Sequence, residues 1–197
     1  MAVIVDTRGL NCPEPVIRTK KALGKETAIE VLVDNDTALE NVRRLARSRG
    51  CEEKCEKEST GTYRIFISKT DDCTISTKEE KSVGTSGPTI AVFSSDTMGR
   101  GDEYLGEILM KAFLHTLTEM EQPPDMVIRY NTGIKLAVKE TQTATDLQAL
   151  ADKGSSVLVC GTCANFFNLK ESINVGTISN MYDIAGALVK AGRIVCP

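Results

Sequence analysis

The order of apolar runs predicts an α/β protein in two parts: a two-layer α+β sandwich built as βαβαββ, then a mostly parallel three-layer α/β domain. Short β-branched runs alternate with stretches of helical apolar spacing along almost the whole chain. The runs of the second half, such as Thr89 to Phe93 and Ser156 to Cys160, are apolar at consecutive positions, as strands covered on both faces must be. Residues 71–87, rich in Ser, Thr, Gly and charge, separate the halves and read as a flexible linker. A length of 197 residues suits two small domains better than one, here 1–70 and 88–197.

The first strand runs from Val3 to Asp6 and leads through Arg8-Gly9-Leu10-Asn11 into a helix that starts near Pro13 and stops at Gly24. A second strand, Ala28 to Val33, is followed by a cap in 34–37. The next helix carries Leu39, Val42, Leu45 and Ala46 at helical spacing and ends at Gly50. Two strands near 51–58 and 63–68 complete the unit. In the second half, strands at 89–93, 126–130, 156–160, 173–177 and 193–195 alternate with helices at 102–120, 144–152 and 180–191, and a short element lies near 135–138. Such a sheet presents reactive groups at the carboxyl ends of its strands.

The charged Asp6 and Arg8 stand where a secretory apolar segment would run, and no apolar stretch reaches membrane-spanning length. A cytoplasmic protein without a membrane segment is expected. The net charge of −3 lacks the strongly basic character of a general nucleic-acid surface. Seven cysteines without a signal peptide are expected as free thiols. A single histidine, His115, and the unmatched spacings Cys51-x3-Cys55 and Cys160-x2-Cys163 argue against a metal site, and no cofactor motif is present.

Cys12 precedes Pro13, a residue suited to a first helical turn. Its thiol is therefore expected where unpaired backbone N–H groups and the positive helix end favour a thiolate. Pro15 stiffens the turn and Arg18 lies further along the same helix. A small cysteine merely filling a helix cap explains the local spacing equally well. The segment Arg8-Gly9-Leu10-Asn11-Cys12-Pro13-Glu14-Pro15-Val16, placed after a strand in a βαβαββ unit, resembles the TusA/SirA family over roughly residues 1–70. That resemblance implies that Cys12 carries sulfur as a persulfide between donor and acceptor proteins.

Met98-Gly99-Arg100-Gly101-Asp102 together with Val159-Cys160-Gly161-Thr162-Cys163 resembles the DsrE/F family over about residues 88–197. The two-domain order is similar to that of YedF-type proteins, described as sulfurtransferase-like and associated with selenium metabolism. The resemblance implies a reactive Cys160, presented by the Gly161-Thr162 turn, with Cys163 as a resolving thiol, and assembly into oligomers through this domain. The Cys-x-x-Cys spacing alone is equally that of a dithiol oxidoreductase. A third reading is an RNA-binding or regulatory module using Arg43, Arg44, Arg47 and Arg49, although a solvated helix face explains them more simply. Gly99-Arg100-Gly101 reads as a tight turn with Asp102 as N-cap, and His115 is given no role. Cys51, Cys55, Cys73 and Cys196 are expected as incidental thiols.

Overall fold

The computed structural model describes residues 2–58, 61–70 and 87–197. The chain divides into two compact units, Met1–Glu80 and Lys81–Pro197. Apart from Gly87, the expected linker lies outside the described residues, and so does Cys73.

The first unit is the expected βαβαββ: β1 (Val3–Asp6), α1 (Glu14–Lys25), β2 (Ala28–Val33), α2 (Asp36–Ser48), β3 (Glu52–Lys57) and β4 (Tyr63–Ser68). Its four strands lie in the order β1-β2-β4-β3, with β1 parallel to β2 and β4 antiparallel to both β2 and β3. Leu23 of α1 and Leu39, Val42 and Ala46 of α2 close over Ile29, Val31, Val33, Ile65 and Ile67 on one sheet face, giving a two-layer sandwich. Each fully buried aliphatic side chain there contributes on the order of 1.5–3 kcal/mol. The outer sheet face carries a charged network instead, in which Arg64 pairs with the nearly buried Glu30 and with Glu58 at 2.7 Å.

Local chemistry sets the helix ends. Asn35 caps α2 by accepting the Ala38 N–H at 2.8 Å. Gly50, at φ +67°, ends α2, and the Cys51 N–H then reaches back to the Ala46 carbonyl at 3.0 Å. Gly24, expected to stop α1, lies inside it; the helix continues to Lys25 because the Glu26 N–H still reaches the Ala22 carbonyl at 2.9 Å.

The second unit comprises β5 (Thr89–Phe93), α3 (Glu103–Thr118), β6 (Met126–Arg129), α4 (Gln142–Asp152), β7 (Ser156–Cys160), α5 (Gly161–Phe166), β8 (Thr177–Ser179), α6 (Met181–Val189) and β9 (Arg193–Val195). Short 3₁₀ turns occupy Asn131–Ala137 and Lys170–Ser172. The sheet is all parallel in the order β8-β7-β6-β5-β9. Ala91 and Phe93 face Met110, Leu114, Leu147 and Leu150 of α3 and α4, whereas Ile90, Val92 and Ile128 face Ile184 and its neighbours on α6. The result is a three-layer α/β domain. The expected strand at 173–177 is displaced to Thr177–Ser179, and the element expected near 135–138 is the 3₁₀ turn at Asn131–Ala137. That turn packs so tightly on β5 that a Cβ on Gly133 would lie 2.1 Å from the Phe93 carbonyl oxygen. Gly133→Ala is therefore expected to destabilise the second unit by about 1–3 kcal/mol, read as a fall in its chemical-denaturation midpoint without loss of the first unit's transition.

Candidate functional site

Cys12 is built into the loop between β1 and α1, and that loop is stapled to the corresponding loop after β2. The Thr7 N–H and hydroxyl both donate to the Leu32 carbonyl, at 3.0 and 2.7 Å. The Gly9 N–H, at φ +72°, donates to Asp34 Oδ2 at 2.6 Å. Arg8 closes on Asp6 through Nη2 at 2.6 Å, and this pairing holds the Asp6 carboxyl down at about 2. The Cys12–Pro13 peptide is cis.

The Cys12 side chain is exposed and lines a cavity of about 250 Å³ with Leu10, Asn11, Pro15, Val16 and the α2 residues Thr37, Ala38 and Asn41. The amino ends of both helices therefore meet at the thiol. The expectation of unpaired N–H groups at the start of α1 is corrected. Pro13 and Pro15 have no N–H to give, the Glu14 N–H donates to the Asn11 carbonyl at 3.0 Å, and the Val16 N–H donates to Pro13 at 3.0 Å. What α1 offers an anion is the positive end of its peptide dipoles, not free donors. Arg18 does not line the cavity; its Nε donates to Glu14 Oε2 at 2.9 Å, one turn back along the helix.

The second thiol pair sits at the carboxyl end of β7. Cys160 is 1% exposed and belongs to the core beneath α6, while Cys163, in the first turn of α5, is partly exposed. The Asn131 N–H, turned by φ +50° at the start of the 3₁₀ segment after β6, donates to Cys163 Sγ at 3.1 Å. Burial pushes the Cys163 thiol up, the Asn131 N–H opposes that rise, and the neighbouring Cys160 thiol adds to it. Gly161 lets β7 close on β8, since a Cβ there would lie 3.0 Å from the Ser179 carbonyl oxygen. Beside this edge, Lys135 pairs with Asp96 at 3.1 Å and lies 5.7 Å from the centre of the Phe167 ring.

The remaining expected features fall elsewhere. Asp102 caps α3 by accepting the Leu105 N–H at 2.8 Å. His115 pairs through Nδ1 with the buried Asp146 at 3.0 Å, remote in sequence from either cysteine site. Arg43 and Arg47 both close on Glu53, at 3.1 and 2.8 Å, and Arg43 also approaches Glu40 at 3.5 Å, so two of the four arginines are already paired within the fold. Cys51 departs from the expectation of free thiols throughout: it is buried and disulfide-bonded, because bonding follows spatial proximity and not sequence spacing. Cys12, Cys55, Cys160, Cys163 and Cys196 are free. No group of three or more metal-ligating side chains occurs among the described residues. Likewise, no described helix is long and apolar enough to cross a membrane. Asn41 and Asn131 were not expected at either site. Asn131 acts through its backbone and gives no side-chain signal, and Asn41 is visible only once α2 is known to face Cys12.

A two-layer βαβαββ unit with an exposed thiol at the meeting of two helix ends defines a class of small thiol-bearing domains, and comparison with known proteins makes the class specific. Residues 3–69 match the family described as Sulfurtransferase TusA. A protein of Methanocaldococcus jannaschii, named as a candidate sulfur carrier protein, is 40% identical over 70 residues, 33% of this chain and 91% of that protein. The chain belongs, through this N-terminal unit, to the TusA sulfurtransferase family. Among solved structures, a SirA-like protein from Desulfitobacterium hafniense is 34% identical, with 34% of this chain and 95% of that chain covered and a TM-score of 0.32. The ychN protein from E. coli is 14% identical, with 56% of this chain and 99% of that chain covered and a TM-score of 0.44.

The geometry of the second pair predicts an order of reactivity. With iodoacetamide on the folded chain, Cys163 is expected to react well before Cys160. Because burial raises its folded pKa, the thiolate of Cys163 forms at higher pH than in the unfolded chain. Its alkylation midpoint should therefore fall to lower pH when the chain is unfolded in urea, as peptide mapping across pH would report.

Proposed function

We propose that this protein carries sulfane sulfur as a persulfide on Cys12 and exchanges it with donor and acceptor proteins. One observation supports this reading above the others: an exposed thiol opens onto a cavity of about 250 Å³ at the start of α1, within the segment that matches the TusA family. Exposure lets a partner's sulfur reach Sγ, and the cavity gives the added atom somewhere to sit. Loading is attack of the Cys12 thiolate on the outer sulfur of a donor persulfide. The donor's S–S bond breaks, the donor leaves as a thiolate, and Cys12 becomes a persulfide with no net oxidation. Delivery to an acceptor thiolate repeats the same exchange in the opposite sense, and selenium in place of sulfur would follow the same chemistry.

In this reading the second unit, which resembles DsrE/F proteins, supplies a second sulfur-handling thiol, completing a YedF-like arrangement. Cys160 and Cys163 are its two thiols, and exposure favours Cys163 as the one that meets partners, with Cys160 behind it. The adjacency of the two also supports a second reading, in which they cycle as a dithiol and disulfide. The two readings differ in what the pair retains: sulfane sulfur in one, an intramolecular disulfide in the other.

The test is to incubate the full chain with a protein or polysulfide persulfide donor and locate sulfane sulfur by peptide mass mapping. Cys12 is expected to gain one sulfur atom, the gain should vanish in Cys12→Ser, and Cys163→Ser should leave it intact. A folded chain that acquires no sulfur on Cys12 would overturn the proposal.

A further inference from the structure

The wall of the cavity opposite Cys12 has no part in the transfer chemistry as described above. It comes from α2, where Asn41, three residues on from Ala38 and four from Thr37, lines the cavity together with them and with the cap residue Asn35. Asn35 is already occupied, since its Oδ1 accepts the Ala38 N–H at 2.8 Å and its Nδ2 donates to Asp34 at 3.1 Å. Asn41 is half-buried, and among the described residues its amide takes part in no hydrogen bond. The amide lines the same open cavity as Cys12 with its N–H groups unspent on the protein, so it is available to a group that enters there.

The chemistry of that group follows from what lines the rest of the cavity. No lysine, arginine, aspartate or glutamate does so. The backbone donors at the start of α1 are missing or engaged, because Pro13 and Pro15 have none and those of Glu14 and Val16 bond to Asn11 and Pro13. A persulfide extends the Cys12 side chain by one S–S bond, about 2 Å, and puts its negative charge on the outer sulfur. Besides Asn11, next to Cys12 in the same loop, and the engaged Asn35, the lining side chains that can donate to that charge are Thr37 and Asn41 of α2, and of these two only Asn41 carries N–H donors.

We propose that the side-chain amide of Asn41 receives the outer sulfur of the Cys12 persulfide, donating a hydrogen bond to its negative charge. The cavity is then the berth of the carried atom. A cavity of about 250 Å³ holds that atom together with the approaching thiol of an acceptor. The neutral amide stabilises the charge without the strong ion pairing of a lysine, so the sulfur is held and can still leave. This inference rests on the carrier role proposed for Cys12.

The experiment loads the full chain with a polysulfide salt and follows timed alkylation of the Cys12 peptide by mass spectrometry across pH. It compares the natural protein with Asn41→Leu and Asn41→Asp, and circular dichroism checks that each is folded. Asn41→Ala gives the same comparison if either variant fails to fold. Loss of one hydrogen bond to a charged group should raise the alkylation midpoint of the persulfide by about one pH unit in Asn41→Leu, and further in Asn41→Asp, where a carboxylate opposes the charge. In Asn41→Leu, sulfur should be lost from the loaded protein several times faster, while alkylation of the unloaded Cys12 thiol changes much less than that of the persulfide. Folded variants that retain the natural midpoint and retention overturn the inference. Equal changes in the loaded and unloaded thiols overturn it too, since Asn41 would then act only on the cysteine loop. If the natural chain takes no sulfur on Cys12, the carrier reading falls and this inference falls with it. Loading that is normal but indifferent to Asn41 removes the inference alone.

Discussion

The parallel pairing of β1 with β2 is the constraint on which the Cys12 site depends. The register Val3↔Ile29 to Asp6↔Leu32 makes the two strands end side by side. Each strand then turns into a helix, so both outgoing loops and both helix starts emerge at the same sheet edge. An antiparallel pair would have sent them to opposite edges. Thr7 and Gly9 of the first loop lock onto Leu32 near the end of β2 and Asp34 just beyond it, so the relation between Cys12 and α2 is fixed by hydrogen bonds that do not involve the thiol.

The second unit applies the same geometry with more strands. β5, β6 and β7 run parallel, and their carboxyl ends contribute Asp96, Asn131 with Lys135, and Cys160 with Cys163. The close approach of Gly133 to Phe93 brings the segment after β6 onto the end of β5. That segment in turn aims the Asn131 N–H at Cys163. Here a backbone donor meets the sulfur directly, whereas at Cys12 the helix that follows the cysteine has no donor free. The two thiol environments are thus built on opposite principles: one partly buried and held by main chain, the other open and facing side chains from a different helix.

Much of this was legible from residue types. The polar segment 34–37 and Asp102 announced helix starts because short polar side chains can accept a backbone N–H, and Asn35 and Asp102 do so. The continuous apolar runs of β5 and β7 announced burial on both faces. Cys12 was legible as a motif and as a thiol at a helix start. Its electrostatic surroundings were not, because which N–H groups are free depends on how the Asn11-to-Val16 turn folds back on itself. Gly24 misled as a stop signal, since glycine permits a helix end without requiring one. The depth difference between Cys160 and Cys163 could not be read from a three-residue spacing; it follows from where β7 stops and α5 begins. Asn41 sent no signal at all, being one polar residue among several on an amphipathic helix until α1 is placed beside it.

At the start of α1, two prolines and two inward-turned N–H groups leave the helix that follows Cys12 with no free backbone donor. The thiol and the group facing it across the cavity therefore sit on separate elements that fold for separate reasons: the cysteine loop because of its turn and staples, α2 because of its cap and its apolar face. The residue at position 41 can therefore change, and with it the wall facing the thiol, without disturbing the loop that presents Cys12.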